Sequence, residues 1–150
     1  MTTTWCHVKA LPFGMTKNYE QSCQVGSTLE KNKLYRVLLD TGSTASICTS
    51  SLAKLGETST ARKNSRTWET ANGTFTTESV AKLGISLPEF STKNIIVHTF
   101  HVAPKGLLDY DLIMGVDVMS NVGLVLDFQE KTMSWNDVVV EMPVMCRNKK

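Results

Sequence analysis

No stretch of this chain approaches the roughly 18 consecutive apolar residues that a membrane-crossing helix requires. Aliphatic runs such as Val37-Leu38-Leu39 and Leu112-Ile113-Met114 are short, so a soluble chain without membrane contact is expected. The opening "MTTTWCHVKALPFG" lacks a basic start followed by an apolar core. It therefore reads as no secretion signal, and an intracellular setting is expected. Paired cysteines are also missing. Cys6, Cys23, Cys48 and Cys146 stand singly, which without a secretory leader speaks for reduced thiols. Neither Cys6-His7 nor His98 and His101 is joined by a second close ligand pair, so no metal site is expected. The basic spots "ARKNSR" and "RNKK" carry no interleaved aromatics and the net charge is only +2, which argues against a nucleic-acid surface. Long stretches of 3.6-residue periodicity are absent as well, and a mainly helical domain is thereby excluded.

What remains is a chain of 150 residues, 41% hydrophobic and 20% charged, the balance of one globular domain with a real core. Short β-like segments are punctuated by turn residues, so the fold class is all-β. Residues 1–32 are broken by Pro12, Gly14 and Gly26 and offer no strand assignment; they are read as an N-terminal arm or linker. The domain proper is expected over 33–142, with 143–150 as a tail. Within it "LYRVLL" is a strand, and "SSLAKLG" a short helix that Gly56 terminates. The polar residues 57–66 are read as a loop. "TWETANGTFTTES" is a β-hairpin turning at Asn72-Gly73, the strongest short-range turn signal. "VAKLGISL" and "NIIVHTFHV" are strands separated at Pro88. "YDLIMGVDVMSNVG" is a buried strand running to Gly115 and then a short helix, with "LVLDF", "TMSW" and "VVVEM" as closing strands.

One residue breaks the pattern. Asp40 ends an apolar strand and is followed by Thr41, Gly42 and Ser43. A buried carboxylate must titrate, find donors or be used. Asp-Thr-Gly at a strand end permits a tight turn whose backbone N–H groups face the carboxylate, with the Thr hydroxyl bracing the loop. The same tripeptide also makes ordinary Asx-turns and caps. The "LIMG" element decides between them: an aliphatic strand ending in Gly115 can pass beneath such a turn.

The ordered set "LLDTGSTASICTSSLAKLG", "WETANGTFTT", "LPEF", "FHV", "YDLIMGVDVMSNVGLVLDF" and "MSW" resembles the retropepsin-type aspartic proteases, and most of all those of gypsy-type long-terminal-repeat retrotransposons. The resemblance implies a single-lobed acid-protease fold with a flap hairpin, acting as a two-fold homodimer. It implies an aspartic endopeptidase that processes a retroelement polyprotein, in the cytoplasm or in retroelement particles, without a cofactor. Asp40, Thr41 and Gly42 would form the catalytic loop. Ser43, Ala71, Asn72, Gly73 and Ile113 would contact the polypeptide substrate. Proteolysis of this kind needs two carboxylates, and Asp109, Asp111, Asp117, Asp127 and Asp137 all lack the following Thr-Gly, so the second must come from another copy. Ser43 is expected to donate to the Asp40 carboxylate and Asp117 to cap the short helix, while Trp68 and Phe75 pack the flap. Many viral relatives join an Asp four positions beyond the catalytic one to an Arg after the glycine; here Thr44 and Val116 replace both, and the flap lacks a glycine-rich tip. The competing reading is a catalytically silent retropepsin-like module for dimerisation or peptide binding.

Overall fold

The computed structural model describes residues 4–11, 33–60, 62–70, 73–91, 93–106 and 108–143. Twelve strands and two short α-helices account for most of them. The body is a seven-stranded sheet built from β1 (Thr4–Leu11), β2 (Tyr35–Leu39), β3 (Ile47–Cys48), β4 (Glu57–Thr60), β7 (Ser79–Ser86), β8 (Ile96–Val102) and β9 (Leu112–Met114). Its order is β1-β2-β9-β3-β8-β7-β4, and β1 pairs with β7 as well as with β2. The sheet thus curls into a ring: the first half of β1 is antiparallel to β2 (Cys6 opposite Val37) and its end is antiparallel to β7 (Ala10 opposite Ile85). Two pairings are parallel, β2 with β9 and β3 with β8.

Period-two alternation builds the core. Along β2, Tyr35, Val37 and Leu39 point inward, and Ala81, Leu83 and Ile85 do the same on β7. They meet Leu52, Phe100, Leu112 and Met114 in one apolar cluster that also takes in Cys6 and Cys48. Both thiols are free; burial pushes Cys48 up to about 12 and raises Cys6 further, so neither is a nucleophile at neutral pH. Cys23 and Cys146 lie outside the described residues. A separate three-stranded sheet of β10 (Val125–Asp127), β11 (Thr132–Trp135) and β12 (Val138–Glu141) closes the chain, as the sequence suggests.

Three local expectations are revised. The sequence offers no strand in the N-terminal segment, yet β1 is a member of the main sheet, its Cys6 and Val8 buried. Residues 57–60, read as loop, form β4 against β7; every side chain on this edge strand is exposed, so no apolar alternation marks it. Helix α1 (Ser50–Ala53), capped by the Thr49 hydroxyl, ends before Gly56. Gly56 is needed for another reason: a Cβ there would lie 2.3 Å from the Lys82 carbonyl oxygen. Helix α2 (Val116–Val122) does close as expected, at Gly123 with φ 76°.

β5 (Arg66–Thr70) and β6 (Gly73–Thr77) form a two-stranded hairpin paired only with itself. Thr70 pairs with Gly73, so Gly73 opens β6 and is not the centre of the turn. Ala71 and Asn72, the expected tip, lie outside the described residues, as does the tail beyond Pro143.

Candidate active site

β2 delivers Asp40 and β9 supports it. Leu39 is in register with Met114, and the Asp40 N–H donates to the Met114 carbonyl at 2.9 Å. The Gly42 N–H then donates to Asp40 Oδ1 at 2.9 Å, the backbone-to-carboxylate contact that the Asp-Thr-Gly sequence suggests. The following turn rests on the start of α2, where the Val116 N–H donates to the Ser43 carbonyl at 2.8 Å. Gly115 is what lets the two segments meet. A Cβ on it would sit 2.6 Å from the Ala45 oxygen and 2.7 Å from the Ser43 oxygen.

Two expected roles in this loop change. The Ser43 hydroxyl donates to the Ala45 carbonyl at 2.6 Å, so it braces the turn and is not turned to the Asp40 carboxylate. A backbone oxygen two residues on completes a compact turn that competes for the same proton. Thr41 is exposed, and its hydroxyl makes no side-chain hydrogen bond among the described residues, so it does not brace its own loop.

Asp117 is not the N-cap of α2, which is Gly115 without a side-chain cap bond; it lies in the first turn of the helix. Its carboxylate accepts from the Val118 N–H, and also from the Ser46 hydroxyl at 2.6 Å, the Ser46 N–H at 3.2 Å and His98 Nε2 at 2.9 Å. The fully buried Ser46 hydroxyl in turn accepts from the Gly115 N–H at 2.9 Å. Burial opposes ionisation of Asp117, but the donors from Ser46, His98 and Val118 outweigh it and hold the carboxyl below its usual range. Ser46 and His98 belong to this network although nothing local in the sequence marks them; they are joined to Asp117 only by the fold. Asp111 accepts from the Arg36 N–H, and Asp127 accepts from the Gln129 and Glu130 N–H groups; both hold backbone.

The loop faces a cleft of about 590 Å³ between the body and the hairpin. Asp40, Gly42 and Ser43 border it on one side, Ile47, Leu108 and Ile113 supply an apolar wall, and β5 with Phe75 forms the other side. Ile113 lines this wall, its side chain on the opposite face of β9 from buried Leu112 and Met114. Trp68 packs, as the sequence suggests: it is 9% exposed, stacks on Phe75 at 6.0 Å, meets His101 edge-on and donates from Nε1 to the Thr77 hydroxyl. Burial, with Arg66 nearby, lowers the pKa of His101, whose Nδ1 is buried without a partner. Thr44 accepts from Arg66 Nη2 at 3.0 Å, so the hairpin is tied to the Asp40 loop by a contact the sequence does not announce. Among the described residues no group of three His, Cys, Asp or Glu is placed to hold a metal ion, and no helix is long and apolar enough to cross a membrane.

No protein-family model and no curated protein matches the chain. Among solved structures it is similar to the retroviral protease-like domain of Ddi1 from Leishmania major, at 14% sequence identity and a TM-score of 0.57 over 95% of each chain. At that identity the likeness speaks for the fold, and the fold of this chain is that of a retroviral protease-like domain.

Proposed function

We propose that the chain is an aspartic endopeptidase of the retropepsin type, working as a two-fold homodimer on the polyprotein of a gypsy-type retroelement. The observation that carries this reading is a single Asp-Thr-Gly loop, fixed beneath by β9 and open to a cleft that a hairpin borders. The cleft holds one such carboxylate and the reaction needs two, so the symmetry mate's Asp40 completes it. Two carboxylates about 3 Å apart cannot both ionise and share a proton. One then takes a proton from the attacking water while the other protonates the carbonyl oxygen of the scissile bond. Both proton transfers use side chains alone and draw on no cofactor. The β5–β6 hairpin would serve as the flap, with Gly73 near its tip and Ile113 against a substrate side chain. The order of motifs supports a retroelement polyprotein as substrate.

The test is peptide cleavage by the purified chain across a dilution series. Activity per chain should rise with concentration through the dimer dissociation constant, and Asp40→Asn should lower it by about 10³-fold or more with the fold intact. Activity per chain that stays constant where sedimentation finds only monomer would overturn the shared site.

A further inference from the structure

Among the described residues Arg66 is the one cation lining the cleft, and the fold holds it in place. It begins β5 on the same face as Trp68, two residues along the strand. Its guanidinium lies 4.5 Å over the Trp68 ring, while Nη2 donates to Thr44 Oγ1. The ring beneath it is itself fixed, by Phe75, His101 and Thr77. A guanidinium has five N–H donors, and this contact uses one. Arg66 is exposed, and among the described residues no carboxylate is within ion-pair distance of it. Glu69 also borders the cleft but belongs to the alternate face of β5. Burial, with Arg66 nearby, holds His101 below its ordinary pKa, which disfavours a competing positive charge there.

We infer that Arg66 is a specificity residue that binds a carboxylate side chain, Asp or Glu, of the polypeptide in the cleft. This rests on the peptidase reading of the same site. Two contacts already immobilise the cation, so little side-chain freedom is left to lose when a carboxylate docks, and the planar fork suits bidentate pairing. Arg66 and its anchor Thr44 border the same cleft as Asp40, so the recognised acid belongs to the stretch of polypeptide that the cleft holds. An acidic residue close to the cut is thus part of the substrate signature, alongside an apolar one against Ile47, Leu108 and Ile113.

The experiment uses peptides matched except for Glu or Gln at each position flanking the cleavage point. They are cleaved by the parent chain, and their binding to Asp40→Asn is followed by fluorescence anisotropy. At one position Glu should be favoured about tenfold over Gln at low salt. Arg66→Gln should abolish that preference, Arg66→Glu should turn it toward Lys, and Arg66→Lys should keep part of it. Thr44→Val, which keeps the charge but frees the side chain, should weaken it, and circular dichroism of each variant separates a lost preference from a lost fold. Cleavage without an acidic preference, or a preference that survives Arg66→Gln in a folded chain, overturns the inference and leaves the peptidase standing. Arg66-dependent binding of acidic peptides without cleavage does the reverse. If no peptide is bound or cut, both fall.

Discussion

The two sides of the cleft are built by opposite means. On one side, residues 40–46 are held almost atom by atom: Asp40 by Met114, Ser43 by Val116, Ser46 by Asp117 and Gly115. On the other, β5 and β6 pair only with each other and, among the described residues, meet the body through Trp68, Phe75 and the Arg66 to Thr44 hydrogen bond. A catalytic carboxylate must be positioned before substrate arrives, whereas a cover must move to admit it. In the proposed peptidase, rigidity would be concentrated at the Asp40 loop and withheld at the hairpin.

The contrast is most sharply broken at Gly115. Gly115→Ala drives a methyl group into the carbonyls of Ser43 and Ala45, which are backbone atoms that cannot rotate away. It should cost about 3 kcal/mol in urea unfolding and remove most activity, because the displaced atoms belong to the Asp40 loop. A fully stable and active Ala variant would show the loop to be far less constrained than its contacts suggest.

Hydrogen exchange compares the two sides directly. Amides of β5 and β6 should exchange about 100-fold faster than that of Asp40, and slow when a peptide inhibitor binds. Equal protection in the free chain would mean that the hairpin is as fixed as the floor.

The Asp117 network sets an acid limit on the rigid side. Its folded pKa is lowered, so its contribution to stability is complete above the ordinary carboxylate value of 3.8 and is lost as pH falls through the lower folded value. Asp117→Asn should remove that part of the pH dependence, giving a flatter stability profile under acid. A profile unchanged in slope would assign the acid sensitivity to other groups. Ser43→Ala probes the smallest brace: loss of the hydrogen bond to Ala45 should cost about 1 kcal/mol of stability. The acidic limb of kcat/KM should stay where it is, since the hydroxyl does not face Asp40. A limb that moves upward would restore the carboxylate contact.

Much of the rigid side is legible in the sequence because its signals are local. Asp40-Thr41-Gly42 after an apolar strand, and Leu112-Ile113-Met114-Gly115 before a short helix, each announce their own geometry, and the hairpin is announced by Asn72-Gly73. The partnerships are not legible. Ser46, His98 and Asp117 meet only because β3 lies between β8 and β9, and no spacing in the chain encodes that adjacency. β4 escapes notice because an exposed edge strand needs no apolar alternation, and β1 because its two halves pair with different strands. Ser43 illustrates the finer difficulty. A hydroxyl beside a carboxylate in sequence has two acceptors in reach, and only the turn geometry decides between them.

The parallel pairing of β2 with β9 carries a consequence for how the chain comes to be. Asp40 and the carbonyl that fixes its backbone are 74 residues apart (114 − 40 = 74), with β3 to β8 lying between them in sequence. A loop of that length must close before the carboxylate has a defined direction, and its closure costs chain entropy that the contact itself must offset. During synthesis Asp40 leaves the ribosome long before Met114 does. A nascent polypeptide therefore carries the Asp40 carboxylate before the strand that orients it has been made.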